Sequence, residues 1–183
     1  MMEGKIFFYF LLVILLLLLN LHFPAEAGED DLFSKIKIIP IKGDRKAPDF
    51  SLKDLNGKKV ELKKFRGKIV FLNFWATWCS PCKEEMASME VLHQQFKEKK
   101  FILITVSVDY GGQKTVKEFI NKNQYTFSVL LDPDGETLGL FEVKGIPTTY
   151  LIDKKGRTVG KAIGPRDWSS QEVVSLINLL IEK

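Results

Sequence analysis

The chain holds two cysteines, Cys79 and Cys82, with Ser80 and Pro81 between them. They stand where an apolar run, Ile69 to Trp75, passes directly into a helical pattern. Two thiols at this spacing suit thiol–disulfide exchange, in which a thiolate attacks a disulfide sulfur. A helix N-terminus offers unpaired N–H groups and the positive end of the helix dipole, and both stabilise an anion. Cys79 sits just ahead of the helix and receives that help, while Cys82 lies one turn in and faces the core. Cys79 is therefore expected to be the exposed, attacking sulfur and Cys82 the buried, resolving one. Pro81 suits the first turn of the helix and keeps it rigid. Trp75 and Trp78 are expected to wall the site, with Trp78 on the substrate side.

Two duller readings of the pair fail on simple grounds. Structural zinc takes four ligands, and beyond the leader His93 is the one histidine. It lies about three helical turns from Cys82, ~16 Å at 5.4 Å per turn. A purely structural disulfide closing two residues would constrain the unfolded chain very little. Glu85 is of more interest. It shares a helix face with Cys82, Met89, Leu92 and Phe96, which sets a carboxylate in or beside the buried stripe. There desolvation would raise its pKa and let it exchange a proton with Cys82. Phase alone leaves equally open that it tilts to solvent. Asn73, in the preceding strand, is neutral and cannot take that role. Pro147, at the start of a later strand, is unexpected in a buried strand unless the Ile146–Pro147 bond is cis, and periodicity does not settle that.

These residues must be positioned by the following elements. Ala47 to Leu52 and Lys59 to Leu62 flank Asn56-Gly57, a hairpin signal. Ile69 to Trp75 is apolar on both faces, as a central strand covered by helices must be. A helix from Pro81 to about Lys99, a strand from Phe101 to Val108, a helix from Lys114 to Asn123, a strand from Phe127 to Leu131 and a short helix from Glu136 to Phe141 follow. Gly145 to Ile152 and Thr158 to Ile163 form an antiparallel hairpin. A last helix, opened by a capping box at Ser169-Ser170-Gln171-Glu172, runs to about Ile181. Alternating strands and helices make an α/β fold, and the closing hairpin makes its sheet mixed.

The 183 residues, 45% hydrophobic and 27% charged, suit one domain plus a short extra segment. The formal charge of +4 is modest and the lysines alternate with glutamates, which argues against nucleic-acid binding. The basic cluster Lys58, Lys59, Lys63, Lys64, Arg66 and Lys68 reads as edge protection. Lys5, the uncharged block Ile6 to Leu19 and Ala25-Glu26-Ala27 have the order of a secretory signal, so residues 1–27 are expected to be a signal peptide or an uncleaved anchor. Either places the domain outside the cytoplasm. No cysteine lies near the cleavage site, which excludes a lipoprotein. Residues 28–46 read as a polar tether ending in a loose edge strand around Pro40, with the domain at 47–183.

Phe74-Trp75-Ala76-Thr77-Trp78-Cys79-Ser80-Pro81-Cys82-Lys83, followed by Gly145-Ile146-Pro147-Thr148, resembles the thioredoxin superfamily. The opening Ala47-Pro48-Asp49-Phe50 through Phe65-Arg66-Gly67-Lys68, and the extra helix–strand unit around Lys114 to Leu131, are similar to its extracytoplasmic TlpA/ResA-like branch. That branch includes reductants of cytochrome c maturation. The resemblance implies a thioredoxin-like fold: a mixed central sheet flanked by helices, with an N-terminal β-hairpin and an extra central helix–strand insertion. It implies Cys79 as nucleophile, Cys82 as resolving thiol and Pro147 as the cis-proline. Ile146 would lie against the disulfide and pair with substrate backbone. Glu85 matches the acidic residue that the branch carries near its buried cysteine. The implied protein is a monomeric, extracytoplasmic protein-disulfide reductase with no metal and no cofactor. It would act on a disulfide-containing protein, such as an apocytochrome c, and take electrons from a membrane thiol transporter. A proline before Cys82 and no histidine in the loop favour the reducing end of the range.

Two other classes compete. A thiol peroxidase of the peroxiredoxin type shares the Pro48-Asp49-Phe50 opening but carries a threonine three residues before its reactive cysteine, where this chain has Ala76. A copper-binding chaperone would use the cysteine pair without catalysis, but such carriers have wider cysteine spacing and a histidine.

Overall fold

Seven consecutive apolar or amide side chains, Ile69–Trp75, form strand β4, and every one of them is buried. In the computed structural model, which describes residues 28–183, this strand lies near the middle of one eight-stranded sheet. The signal-peptide expectation for residues 1–27 lies outside the described residues. In chain order the elements are α1 (Glu29–Lys35), β1 (Ile39–Pro40), β2 (Ser51–Asp54), β3 (Lys59–Glu61), a 3-10 turn (Leu62–Phe65), β4, α2 (Ser80–Phe96), β5 (Phe101–Ser107), α3 (Gly112–Lys122), β6 (Ser128–Leu131), α4 (Glu136–Leu140), β7 (Thr148–Ile152), β8 (Thr158–Ile163) and α5 (Gln171–Glu182).

The strand order is β1-β8-β7-β4-β5-β6-β2-β3. β4, β5 and β6 run parallel, whereas β7, β8, β1 and the β2–β3 hairpin pair antiparallel. The sheet is therefore mixed, as expected. β3, carrying Lys59, forms one edge. Period-2 alternation splits β4 between two cores. Ile69, Phe71 and Trp75 face the side packed by α2 and α5. Val70, Leu72 and Phe74 face the side of Phe141 and Tyr150. Asn73 falls in phase with Ile69, Phe71 and Trp75, so its amide points at α2.

The stretch 28–46 is not a tether. Glu29, Asp30 and Asp31 form the first turn of α1 and Lys35 its last, a charge order that suits the helix dipole. Leu32 and Phe33 are buried, each contributing about 1.5–3 kcal/mol. Two apolar residues in a seven-residue helix are too few to show a period, so its exposed acidic face read as linker. Its end is a Schellman turn: Ile38 N–H donates to Phe33 O at 2.8 Å and Lys37 N–H to Ser34 O at 3.0 Å, with Lys37 in the left-handed region at φ 54°. Gly160 on β8 lets this turn approach, since a Cβ there would stand 2.8 Å from Ile38 Cγ2 and 2.9 Å from Phe33 Cε1. The expected edge strand is present, with Ile39 and Pro40 opposite Lys161 and Gly160.

The start of α5 also differs by one residue. Ser170, not Ser169, is the N-cap and accepts from Val173 N–H at 3.4 Å, while Ser169 Oγ donates to Asp167 at 2.6 Å. Glu172 thus falls at the second helical position, too early to close a capping box.

Candidate redox site

The sharp passage from β4 into α2 builds the centre. Cys79 is the N-cap of α2, with Pro81 in the first turn, and Cys82 N–H points at Cys79 Sγ at 3.2 Å. The two sulfurs form a disulfide, S–S 2.02 Å. The loop before them is pinned from the end of β5. Asp109, buried, accepts Thr77 N–H on both carboxylate oxygens at 3.1 and 2.9 Å. It also accepts the Thr77 hydroxyl and Ser107 Oγ at 2.7 Å. Nothing in the sequence pattern singled out Asp109, because its partner Thr77 lies in another loop.

The pair is less asymmetric than expected. Cys79 is only 6% exposed, against 1% for Cys82. Cys79 is covered from the far strand, with its Sγ 3.8 Å from Ile146 O, an acceptor for a thiol proton once the pair is reduced. The Ile146–Pro147 bond is cis, and Pro147 O accepts Gly164 N–H at 2.9 Å. Trp75 lies in the same buried cluster as Cys79 and Cys82 and has no exposed face, its ring 5.4 Å from Phe119, because the odd-numbered side chains of β4 point under α2. Trp78, 62% exposed, lines a hollow of about 220 Å³ together with Val108, Tyr110, Leu138, Val143 and Ile146. A larger hollow of about 720 Å³, between Lys35, Ile163 and Arg166, includes neither cysteine in its lining.

Glu85 is buried, on the α2 face that also carries Cys82, Met86, Met89, Leu92 and Phe96. Its Oε1 accepts Asn73 Nδ2 at 2.8 Å. Its Oε2 accepts Trp168 Nε1 at 2.9 Å and Arg166 N–H at 3.3 Å. Burial pushes its carboxyl up to about 7, and the donors Trp168, Asn73 and Arg166 N–H, with the Arg166 charge, hold it from rising further. Asn73 Nδ2 also donates to Thr149 Oγ1 at 2.9 Å on the neighbouring β7, and Asn73 Oδ1 has no partner among the described residues. Asn73 is thus not the proton carrier but the group that touches it. Trp168 and Arg166 went unnoticed in the sequence. They follow β8 by a few residues in a turn whose packing against α2 no local pattern encodes.

The disulfide at the head of α2 thus has Ile146 O, just before β7, beside Cys79 Sγ, and Glu85 lies on the α2 face that carries Cys82. His93 sits in the last turn of α2. Among the described residues no three His, Cys, Asp or Glu side chains gather as metal ligands.

Residues 44–159 match the AhpC/TSA family. The chain is 43% identical over 120 residues to the thiol-disulfide oxidoreductase ResA of Bacillus anthracis, covering 66% of this chain and 69% of that one. To ResA of Bacillus subtilis (strain 168) it is 41% identical over 119 residues, 64% of this chain and 65% of the relative. Among solved structures it is similar to StoA of Bacillus subtilis at TM-score 0.60 and 28% identity, covering 69% of this chain and 95% of that one. It is also similar to a thiol:disulfide interchange protein of the thioredoxin family from Chlorobium tepidum TLS, at TM-score 0.65 and 25% identity, over 77% of this chain and 99% of that one.

Proposed function

The chain belongs to the AhpC/TSA family, and on that premise we propose that it is an extracytoplasmic thiol–disulfide oxidoreductase that reduces a disulfide in a partner protein. The observation that carries this reading is the Cys79–Cys82 disulfide at the head of α2, set against Ile146 O. Relatives named as thiol-disulfide oxidoreductases support it.

In the reduced protein the Cys79 thiolate, stabilised at the helix N-terminus, attacks one sulfur of the partner's disulfide. That bond breaks, a mixed disulfide forms, and the released partner thiolate takes up a proton. Cys82 then loses its proton to the Glu85 carboxylate and attacks Cys79 Sγ. The Cys79–Cys82 disulfide closes, and the second partner thiolate leaves and is protonated. Two electrons have passed to the partner; of the two protons that it takes up, one is the Cys82 proton returned by Glu85 and the other comes from solvent, to which Cys79 had released its own. A carboxyl near 7 accepts and returns a proton with little driving force in either direction at neutral pH. The exposed Trp78 and the edge beside Ile146 and Pro147 receive the partner's backbone. An outside dithiol, such as a membrane thiol transporter, must restore the reduced form.

The signal-like segment at residues 1–27 supports export. No helix of residues 28–183 is long and apolar enough to cross a membrane. The disulfide of a Cys-x-x-Cys-His site in an oxidised apocytochrome c is the substrate that the family resemblance favours.

The test is trapping. Cys82→Ala should accumulate mixed disulfides through Cys79 that are released by reductant, and Cys79→Ala should not. Failure of both variants to trap any partner, or fast peroxide turnover by the parent protein, would remove this reading in favour of a peroxidase.

A further inference from the structure

The turn between β8 and α5 is tied to α2 at three points. Arg166 N–H and the Trp168 indole N–H reach Glu85 Oε2 at 3.3 and 2.9 Å. Trp168 N–H donates to Ser88 Oγ at 3.0 Å, and Ser88 Oγ donates to Glu85 O at 2.7 Å. The same turn is tied on its other side to α1 through one side chain. Arg166 Nη1 donates to Ile36 O at 2.8 Å and Lys37 O at 2.9 Å. Arg166 Nη2 donates to Ile163 O at 2.9 Å and Gly164 O at 3.3 Å. The guanidinium also lies over the Trp168 ring, 5.1 Å from its centroid, a cation–π contact.

We infer that Arg166 is a positioning residue for the redox centre: its guanidinium clasps the carbonyls of Ile36 and Lys37 that cap and follow α1 and the carbonyls of Ile163 and Gly164, and so holds two N–H donors on Glu85. This rests on the reading of Glu85 as the proton partner of Cys82.

Three physical points carry it. A planar fork can serve four carbonyls on two chain segments at once, which the single ammonium nitrogen of lysine cannot do. Ile36 is the C-cap of α1 and Lys37 the residue after it, so their carbonyls lie beside the end where the helix dipole is negative and a cation is favoured. Finally, Arg166 and Trp168 supply two of the three donors to Glu85, so loosening the turn strips its carboxylate of more than half its hydrogen bonds. From outside its own helix Glu85 faces uncharged Asn73 on β4, with Thr149 of β7 behind it, and Trp168 and Arg166 of the turn. Arg166 is the charge that bears on it. On its own helix Cys82 is the titratable neighbour on the same face. The consequence is that α1, nearest the leader, belongs to the redox site: the proton affinity of Glu85 depends on α1 being docked.

The test uses the Glu85 carboxyl titration in the oxidised full chain, followed by carbon NMR with glutamate labelling, with Glu85→Gln identifying the signal. Arg166→Ala should move the midpoint up by about one pH unit, because both a charge and ordered donors are lost. Arg166→Lys should leave it displaced upward, and Trp168→Phe should raise it too. Leu130→Ala, on the opposite face of the sheet, serves as a control for general loosening. Should Arg166→Ala not fold, the lysine and phenylalanine variants carry the same test. An unmoved midpoint, full restoration by lysine, or an equal shift in Leu130→Ala would overturn the clasp. The pH profile of exchange with a protein disulfide separates the two levels. If Glu85→Gln leaves that profile unchanged, the role of Glu85 fails while the NMR midpoints still judge the clasp.

Discussion

Replacing Glu85 by glutamine should make the oxidised protein more stable, and only above a definite pH. The folded carboxyl titrates at about 7 instead of the usual 4.5. Between those values the folded state holds a proton that the unfolded chain has released, so stability falls as pH rises through the window. Below 4.5 both states are protonated, and above 7 both are ionised and the loss is complete. At 1.36 kcal/mol per unit the loss is about 3 kcal/mol. Glutamine stays neutral throughout. Its amide oxygen can accept from Trp168 and Arg166, and its NH₂ group meets the unpartnered Asn73 Oδ1 once that amide turns over. Any mismatch in those bonds is constant with pH and cancels in a difference. The assay is urea unfolding of both proteins at pH 4.5 and pH 8.5. The gap between glutamine variant and parent should grow by about 3 kcal/mol in favour of the variant, some 1–2 M in midpoint. A gap that is flat with pH would refute the burial argument. One that moves the other way would mean that Arg166 outweighs desolvation and holds Glu85 ionised.

Three further outcomes are expected. Gly160→Ala should destabilise by about 1–3 kcal/mol, read by thermal or urea unfolding, because its methyl would press on Phe33 and Ile38; a neutral effect would mean that α1 is not held against β8. Asp109→Ala should remove the acceptor for Thr77 N–H, the Thr77 hydroxyl and Ser107 Oγ, costing about 1–3 kcal/mol. It should also speed amide hydrogen exchange at Thr77, and unchanged exchange there would contradict it. Trp78→Ala should leave the unfolding midpoint unchanged, since the ring is 62% exposed. It should slow reduction of a protein disulfide several-fold but not of a small aromatic disulfide; equal losses on both would deny Trp78 a partner-binding role.

Much of the site was readable in advance because its signals are local. The Cys79–Cys82 spacing, the proline in the first turn and the apolar run before it are all consequences of one strand entering one helix. The helix phase put Glu85 on the Cys82 face but left its direction open, because solvent-facing and core-facing positions meet at that angle. Where sequence reading went astray, the cause was that the deciding partner is remote. Residues 28–35 looked like a tether because their two apolar side chains are matched by β8 and α5, far along the chain. The neutrality of Asn73 bars it from carrying a proton, yet a neutral amide on the inward phase of β4 is what a buried carboxylate accepts from.

By itself, then, the sequence determined the order of strands and helices from the β2–β3 hairpin onward, the mixed sheet and the redox pair, since period, turn chemistry and cysteine spacing act over a few residues. Only the tertiary structure decided that Cys79 is largely covered, that Glu85 is buried near neutrality, and that Trp168, Arg166 and α1 belong to its surroundings. Desolvation and hydrogen-bond donors act through space, and the groups that supply them here stand about 80 to 130 positions from the residues they govern.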